Sequence, residues 1–286
     1  MSPHDRSTVR VVCVTYHPGP ELADFARSLP TATTAEVELV LVDNGTDRTV
    51  VDAVAEEVGA RVLHGPGNIG YGRAANLGAR GATQPWLVVV NPDIVWHPGA
   101  LDTLLDAGVR HPRAGAIGPA VLNPDGTIYP SARELPSLTQ GVGHALLGRL
   151  WPTNPWTAAY QRRQESVDGD ERTAGWLSGS CLLLRRAAFD QVGGFDESYF
   201  MFFEDVDLGE RLAVSGWTNL VVPSARVTHV GGTSWRERPA SMIRAHHSSA
   251  ARYLSRRYHH WYQWPVRAAI RAGLAVRQTI ELRRAR

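Results

Sequence analysis

The amino-acid sequence predicts an α/β protein: a mostly parallel central sheet with helices on both faces. Two observations carry that reading. The first 120 residues alternate strand-like and helix-like segments, and the strand-like ones are near-continuous Val/Leu runs. Strands that are apolar on both sides must be covered on both sides, and the amphipathic segments between them supply the cover.

Each element follows in order. "VRVVCVTY" (9–16) reads as a buried strand, and "GPELADFARSL" as a helix opened by Pro20. "EVELVLVDNG" is a second strand, and "DRTVVDAVAEEVG" a helix with Asp47 as its cap and Gly59 at its end. "ARVLH" and "YGRAANLGARGA" form the third strand–helix pair, "WLVVVNPD" and "GALDTLLDAGVRH" the fourth. "GPAVLNPDGTIYP" reads as a hairpin turning at Asn123-Pro124-Asp125-Gly126. Residues 131–175, rich in Pro, Trp and Arg, make a long excursion of the kind that more often serves function than not. "GWLSGSCLLLRR" restarts a strand. "FEDVDLGERLAVSG" has a helical period, with Val206, Leu208 and Leu212 apolar and Gly216 closing it. "TNLVVP" and "ARVTHV" read as two short strands, and from about 239 onward two helices follow, broken at Pro265.

A hydrophobic content of 43 % with 20 % charged residues describes a soluble globular protein, and no apolar run reaches bilayer-spanning length. The N-terminal residues carry charge where an export signal needs an apolar core, so a cytoplasmic location is expected. Cys13 and Cys181 sit in apolar runs and read as buried, reduced thiols. Net charge is +2, but it is unevenly spread: from Arg244 onward there are ten arginines and one acid, Glu281. Such a tail points to an anionic surface, namely membrane, nucleic acid or phosphate. No nucleic-acid reading module accompanies the charge, so nucleic acid is not expected as a partner.

Ligands of a parallel sheet sit at the carboxyl ends of its strands. Those ends carry Thr15-Tyr16, Asp43-Asn44, the loop "HGPGNIGYGRAAN" and Asn91-Pro92-Asp93. The loop has the G-x-G-x-x-G spacing of a dinucleotide site, but two strand–helix units precede it and the acids further on would have no purpose in such a protein. Glu204, Asp205 and Asp207 open a helix beside Phe200, Phe202 and Phe203. Acids favour a helix N-terminus, but three exceed that need. A carboxylate against aromatic walls is partly desolvated and becomes a better base near neutral pH. Asp93, at the end of "WLVVV", suits a hard cation such as Mg²⁺ or Mn²⁺ on a diphosphate, with His229 as a second ligand. His246-His247 and His259-His260 read as surface or interface residues. Ser178, in "GWLSGS", is one place off a hydrolase nucleophile elbow and is followed by strand rather than helix.

Taken together, "VVCVTYHPG", "VDNGTD", "GNIGYGRAAN", "NPD", "GWLSGSCLLLRR", "FDESYFMFFEDVDLGERL" and "VTHVGGTS" resemble family 2 of the inverting glycosyltransferases of GT-A fold, over residues 9 to about 235. "YPSARELPSL", "WPTNPWTAAY" and the Arg-rich C-terminus narrow the resemblance to its actinobacterial rhamnosyltransferase branch. The resemblance implies a GT-A catalytic domain over 1–238, with a nucleotide-sugar half to about 120 and an acceptor half over 121–238, and an Arg-rich helical extension over 239–286. It implies dTDP-rhamnose as donor, polyprenyl-diphospho-N-acetylglucosamine as acceptor, and work at the inner face of the plasma membrane. Thr15, Tyr16, Asp43 and Asn44 would hold the nucleotide, Asp43 through the imide of the base. Asn68, Gly70, Tyr71, Arg73, Asn76 and Asn91 would border the nucleotide and donor, with Arg73 and Asn76 on one helical face. Asp205 matches the family's base, with Glu204 beside it. Trp176, Ser178, Gly179 and Asp207 would line the acceptor side, and Asp93 and His229 would hold the metal. Asn91 stands where many members carry the first acid of D-x-D, which implies weaker metal affinity. In the extension, Val266, Ile270 and Leu274 share a face flanked by Arg267 and Arg271, which suits a membrane interface or, alternatively, a homodimer contact. Two readings from other classes stand beside this one: an NAD-dependent oxidoreductase, and a non-catalytic sugar-nucleotide-binding scaffold.

Overall fold

The computed structural model describes residues 8–136, 169–231 and 239–284. The Val/Leu runs form β1 (Thr8–Thr15), β2 (Glu36–Asp43), β3 (Arg61–His64) and β4 (Trp86–Val90). Between and after them lie α1 (Glu21–Ala32), α2 (Thr49–Val58), α3 (Tyr71–Ala79) and α4 (Ala100–Arg110). Asp47 accepts the Thr49 amide at 3.0 Å, and Gly59 ends α2 in the left-handed region. A short strand that sequence reasoning missed, β5 (Ile94–Trp96), follows Asp93. Then come β6 (Ala114–Leu122), β7 (Ile128–Tyr129), β8 (Ala132–Arg133), β9 (Arg172–Ala174), β10 (Trp176–Leu177), β11 (Cys181–Arg185), α5 (Arg186–Gln191), α6 (Glu204–Val214) and β12 (Thr218–His229). The expected hairpin is present as β6–β7, turning through Gly126. Much of the Pro/Trp/Arg-rich excursion lies outside the described residues.

The main sheet runs β3–β2–β1–β4–β11–β6–β12–β5, with β7 on β6 and β9 on β12; β8 and β10 form a separate ribbon. β3, β2, β1 and β4 are mutually parallel, as are β6 and β12, whereas β11 runs antiparallel between β4 and β6. The reversal of β11 has a consequence for the site. It brings the residues before β11 to the edge where the parallel strands end, and the Asn91 amide donates to the Ser180 carbonyl at 2.9 Å.

Alternate residues of the central strands feed two cores. Val11, Cys13, Val88 and Val90 pack with Phe25, Leu29 and Leu104 from α1 and α4. Val12, Val14, Leu87 and Val89 pack with Ala74, Phe189 and Leu208 from α3, α5 and α6. Each fully buried side chain of this size contributes about 1.5–3 kcal/mol, so a one-residue slip, which would exchange the two faces, is strongly disfavoured. Cys13 and Cys181 flank Val90 in register, free and buried, with both thiols pushed up by burial.

Two expectations are corrected. "TNLVVP" and "ARVTHV" form one strand, β12, with an irregularity between Val222 and Arg226 where Pro223 has no amide to donate. The C-terminal helices are α7 (Pro239–Arg257) and α8 (Trp264–Arg284), joined by a 3₁₀ turn at Trp261–Gln263. Pro265 therefore lies in the first turn of α8, where a missing amide is tolerated, rather than at the break. α7 docks through Tyr253, which shares a small core with Tyr199 and Val206, while no residue of α8 is buried.

Helix α3 lies unusually near the sheet: a Cβ on Gly78 would come within 2.3 Å of Val12 and 2.8 Å of Val42. Gly78→Ala is expected to destabilise the fold by about 1–3 kcal/mol through overpacking, read as a lowered midpoint in thermal or urea unfolding. An unchanged midpoint would show that α3 does not sit this close to β1 and β2.

Candidate active site

The acids of "FFEDVD" are aimed by an unusual piece of backbone. Phe202 and Phe203 have φ of 66° and 65°, two successive non-glycine residues in the left-handed region. Each such conformation costs about 1–3 kcal/mol and persists only where the surroundings impose it. Phe203 is the N-cap of α6, so the strained pair sets the direction in which Glu204 and Asp205 leave the chain. Asp205 accepts the Gly179 amide at 2.9 Å through Oδ2 and the Val206 amide at 2.8 Å through Oδ1. The carbonyl of Gly179 is taken by the Tyr71 hydroxyl at 2.5 Å. The same glycine is thus held from α6 on one side and α3 on the other.

Burial raises the Asp205 carboxyl above its ordinary range; the amide bonds it accepts and the nearby Arg133 charge work against that and do not win. Glu204, 6 % exposed and with Oε2 unpaired among the described residues, is pushed up to about 8 by burial and then by the Asp205 charge. Two adjacent acids in a dry setting cannot both hold a charge cheaply, and the Asp205 charge is part of what keeps Glu204 protonated.

At the ends of β1 and β2, Asp43 is almost wholly buried. Its Oδ1 accepts from the Gly45 amide at 2.8 Å and the Thr15 hydroxyl at 3.3 Å. Its Oδ2 lies 3.3 Å from His64 Nδ1, and His64 Nε2 lies 3.0 Å from Asp52. Thr15 is fully buried and reaches this region through Asp43, whereas Tyr16 is half-buried and meets the His17 ring edge-on at 4.6 Å. Asn44 donates to the Gly70 carbonyl at 3.3 Å while its own Oδ1 has no partner among the described residues. Asn68 accepts the Gly70 amide at 3.0 Å. Gly70 has φ of 90°, and a Cβ there would stand 2.3 Å from the Phe200 carbonyl oxygen, so only glycine fits.

Arg73 and Asn76 do share a face of α3, but that face meets protein. Asn76 donates to the Phe195 carbonyl at 2.8 Å and accepts the Phe195 amide at 2.9 Å, while Arg73 pairs with Glu197 at 3.3 Å. They anchor the segment that leads to Phe202. Asp207 likewise turns from the Gly179 side toward cations, Arg211 at 2.6 Å and Arg256 at 3.5 Å. Trp176 donates to the Glu134 carbonyl at 3.2 Å beneath the Arg133 guanidinium, 5.8 Å from its ring, and the Ser178 hydroxyl donates to that of Ser180 at 3.1 Å.

Asp93 and His229, 136 positions apart in sequence, come together because β5 pairs antiparallel with β12: His229 is opposite Ile94, and the Val230 amide donates to the Asp93 carbonyl at 2.9 Å. His229 Nε2 stands 3.1 Å from Asp93 Oδ1, a buried oxygen that makes no well-formed hydrogen bond. A carboxylate oxygen and an imidazole nitrogen facing one point suit a divalent cation of the Mn²⁺ or Mg²⁺ kind. Among the described residues no third His, Cys, Asp or Glu joins them, so the remaining ligands would be diphosphate oxygens and water. Asn91, two residues before Asp93, is held by the hydrogen bond its backbone amide donates to the Ser180 carbonyl. Sequence reasoning missed His64 and Arg133; pairing of strand ends locates the first, and nothing in the spacing of "YPSARELP" marks the second.

The ends of the parallel strands thus carry the buried Asp43 and Asn44 and the Asp93–His229 pair, and the Asp205 carboxylate reaches the Gly179 amide just before β11. A glycosyltransferase-like family 2 model matches residues 5–247, and the chain belongs to this family of glycosyltransferases. It is 50 % identical to the N-acetylglucosaminyl-diphospho-decaprenol L-rhamnosyltransferase of Mycobacterium tuberculosis, over 96 % of this chain and 92 % of that protein. Rhamnosyltransferase WbbL of Escherichia coli is 32 % identical over 44 % of this chain and 45 % of its own. Among solved structures, the mannosyltransferase PcManGT of Pyrobaculum calidifontis, in complex with GDP-Man and Mn²⁺, superposes with a TM-score of 0.55 at 19 % identity, covering 94 % of this chain and 75 % of that one. GalNAc-T7 with UDP, GalNAc and Mn²⁺ gives 0.58 at 16 % identity over 78 % and 44 %. The GT-A fold expected from the motifs is borne out, and the oxidoreductase reading falls with it.

Because the Glu204 carboxyl titrates higher in the folded chain than in the unfolded one, the native state binds more protons between those two values. Stability should therefore fall as pH rises from about 4.5 to about 8. Glu204→Gln should flatten that slope in urea unfolding across this range; an unchanged slope would show that Glu204 is not held protonated.

Proposed function

We propose that the protein transfers L-rhamnose from dTDP-β-L-rhamnose, with inversion, to the N-acetylglucosamine of polyprenyl-diphospho-N-acetylglucosamine, in synthesis of a mycobacterial-type arabinogalactan linker. The observation that carries the reading is the 50 % identity to the M. tuberculosis rhamnosyltransferase over 96 % of this chain, which includes the Arg-rich extension. In this reading residues to about 120 hold the nucleotide sugar and residues 121–238 the acceptor.

Asp205 accepts the proton of the acceptor hydroxyl as that oxygen bonds to the anomeric carbon from the face opposite dTDP. The bond between that carbon and the diphosphate breaks, dTDP leaves with the electron pair, and a β-L donor gives an α-L-rhamnoside. The raised carboxyl is suited to the task, since a base works best when its pKa lies near the working pH. Glu204 stands beside it as a protonated neighbour, and the Gly179 and Val206 amides fix the two Asp205 oxygens. Asp43 and Asn44 meet the nucleotide. Asp93 and His229 would hold Mg²⁺ or Mn²⁺, which when bound neutralises the charge that grows on the departing diphosphate.

The acceptor is confined to a membrane, and the extension suits that surface. Trp261, Tyr262 and Trp264 are exposed at the turn between α7 and α8, with Val276 and Ile280 exposed beyond them. Aromatic rings of this kind favour the interface, and each arginine near an anionic lipid surface contributes about 1 kcal/mol. No helix among the described residues is long and apolar enough to cross a bilayer, so the reading is of a peripheral protein on the cytoplasmic face.

Asp205→Asn should lower kcat by about 10²–10⁴-fold in a transfer assay with dTDP-rhamnose while dTDP binding by calorimetry is kept; near-normal turnover would remove Asp205 as base. The same assay with UDP- and GDP-sugars should give no transfer, and EDTA should suppress transfer with Mn²⁺ or Mg²⁺ restoring it; preference for another donor would overturn the substrate assignment. The protein should co-sediment with vesicles containing anionic lipid, and a Trp261→Ser/Trp264→Ser double variant should not. Equal sedimentation with neutral vesicles, or a stable dimer through this turn, would contradict the membrane role.

A further inference from the structure

The strained Phe202–Phe203 pair aims the catalytic carboxylate, so whatever imposes that conformation belongs to the active site. On the catalytic-domain side the hold is clear: the Tyr71 amide donates to the Phe200 carbonyl at 3.0 Å, and Asn76 grips Phe195. On its other side the segment meets α7.

Three contacts from α7 fall on consecutive residues of the segment. The Ser249 hydroxyl donates to the Met201 carbonyl at 2.7 Å. The His246 ring meets both phenyl rings edge-on, with centroids 5.5 Å from Phe202 and 5.5 Å from Phe203. Tyr253 lies 5.6 Å from Phe203 on the next turn and is 2 % exposed. His246, Ser249 and Tyr253 are spaced three and four residues apart, the spacing of one helical face. Further along, Arg256 pairs with Asp196 and Asp207, and Arg257 with Glu210, which fastens the helix to both ends of the loop and to α6 itself.

We infer that α7 is a working part of the active site, and that Ser249 and His246 are positioning residues for Asp205, acting through Met201, Phe202 and Phe203. A hydroxyl bond to the Met201 carbonyl fixes the peptide plane just before the first left-handed residue. Two edge-on ring contacts then leave the phenyl groups one arrangement, and the chain enters α6 with Asp205 on the Gly179 amide. The helix that carries these residues continues into the exposed Trp261–Trp264 turn, so the extension and the catalytic loop form one packed unit. The inference rests on the reading of Asp205 as the base.

The test uses the full-length protein, with Ser249→Ala, Ser249→Thr, His246→Ala and, as reference, Asp205→Asn, each assayed with dTDP-rhamnose and the polyprenyl acceptor at a temperature well below its own melting midpoint. Ser249→Ala and His246→Ala should lower kcat by about tenfold or more, with the donor KM and the Kd for dTDP unchanged, and Ser249→Thr should restore most of the loss. Wild-type kcat in both alanine variants, or dTDP affinity falling in step with kcat, would overturn the positioning role. The Asp205→Asn arm separates the two levels. If it stays active, the base assignment and the inference fall together; if it is inactive while neither Ser249→Ala nor His246→Ala is slowed, only the inference falls.

Discussion

One hydrogen bond, from the Gly179 amide to the Asp205 carboxylate, is the contact on which the proposed active site depends. It needs β11 to run against its neighbours, so that the residues before it arrive where the parallel strands end. It also needs two left-handed residues ahead of α6, so that Asp205 leaves the helix start in the right direction. The bond stabilises the charged carboxylate, whereas burial opposes it, and burial prevails. The carboxyl is therefore placed by one interaction and activated by another.

The cation pair obeys a different constraint. Asp93 and His229 meet because β5 folds back on β12, and the Val230–Asp93 backbone hydrogen bond closes that edge. Asp205 and the Asp93–His229 pair thus rest on separate supports, α6 against Gly179 in one case and a strand edge in the other. Damage to the catalytic loop should leave the nucleotide end intact, which is why base and donor binding can be examined apart.

Much of this was legible in the sequence. Four Val/Leu runs with helices between them specify a parallel sheet, and the residues after each run then fall at one edge, which put Thr15, Asp43, the glycine loop and Asp93 there; His229 was joined to Asp93 on its chemistry alone. What the sequence did not show is which neighbours the helix side chains have: Arg73, Asn76 and Asp207 have the chemistry to bind a ligand, and within the chain they meet Phe195, Glu197, Arg211 and Arg256. Helical spacing says which residues share a face and nothing about what packs against it. The left-handed Phe202–Phe203 pair was illegible for a similar reason, since bulky aromatic residues disfavour that backbone and only tertiary contacts hold them there. β5 is too short for a periodic signal, and β12 was divided at Pro223 because a proline usually ends a strand.

The account stands or falls on an activated base at Asp205, and the pH dependence of kcat/KM for the wild-type protein examines it most directly. The expected profile has an acid limb with an apparent pKa above the ordinary aspartate value of about 4, because burial raises the Asp205 carboxyl, and Glu204→Gln, which exchanges a neighbour held protonated for another neutral group, should leave that limb in place. A limb at the ordinary value, or a rate flat from pH 5 upward, would contradict it.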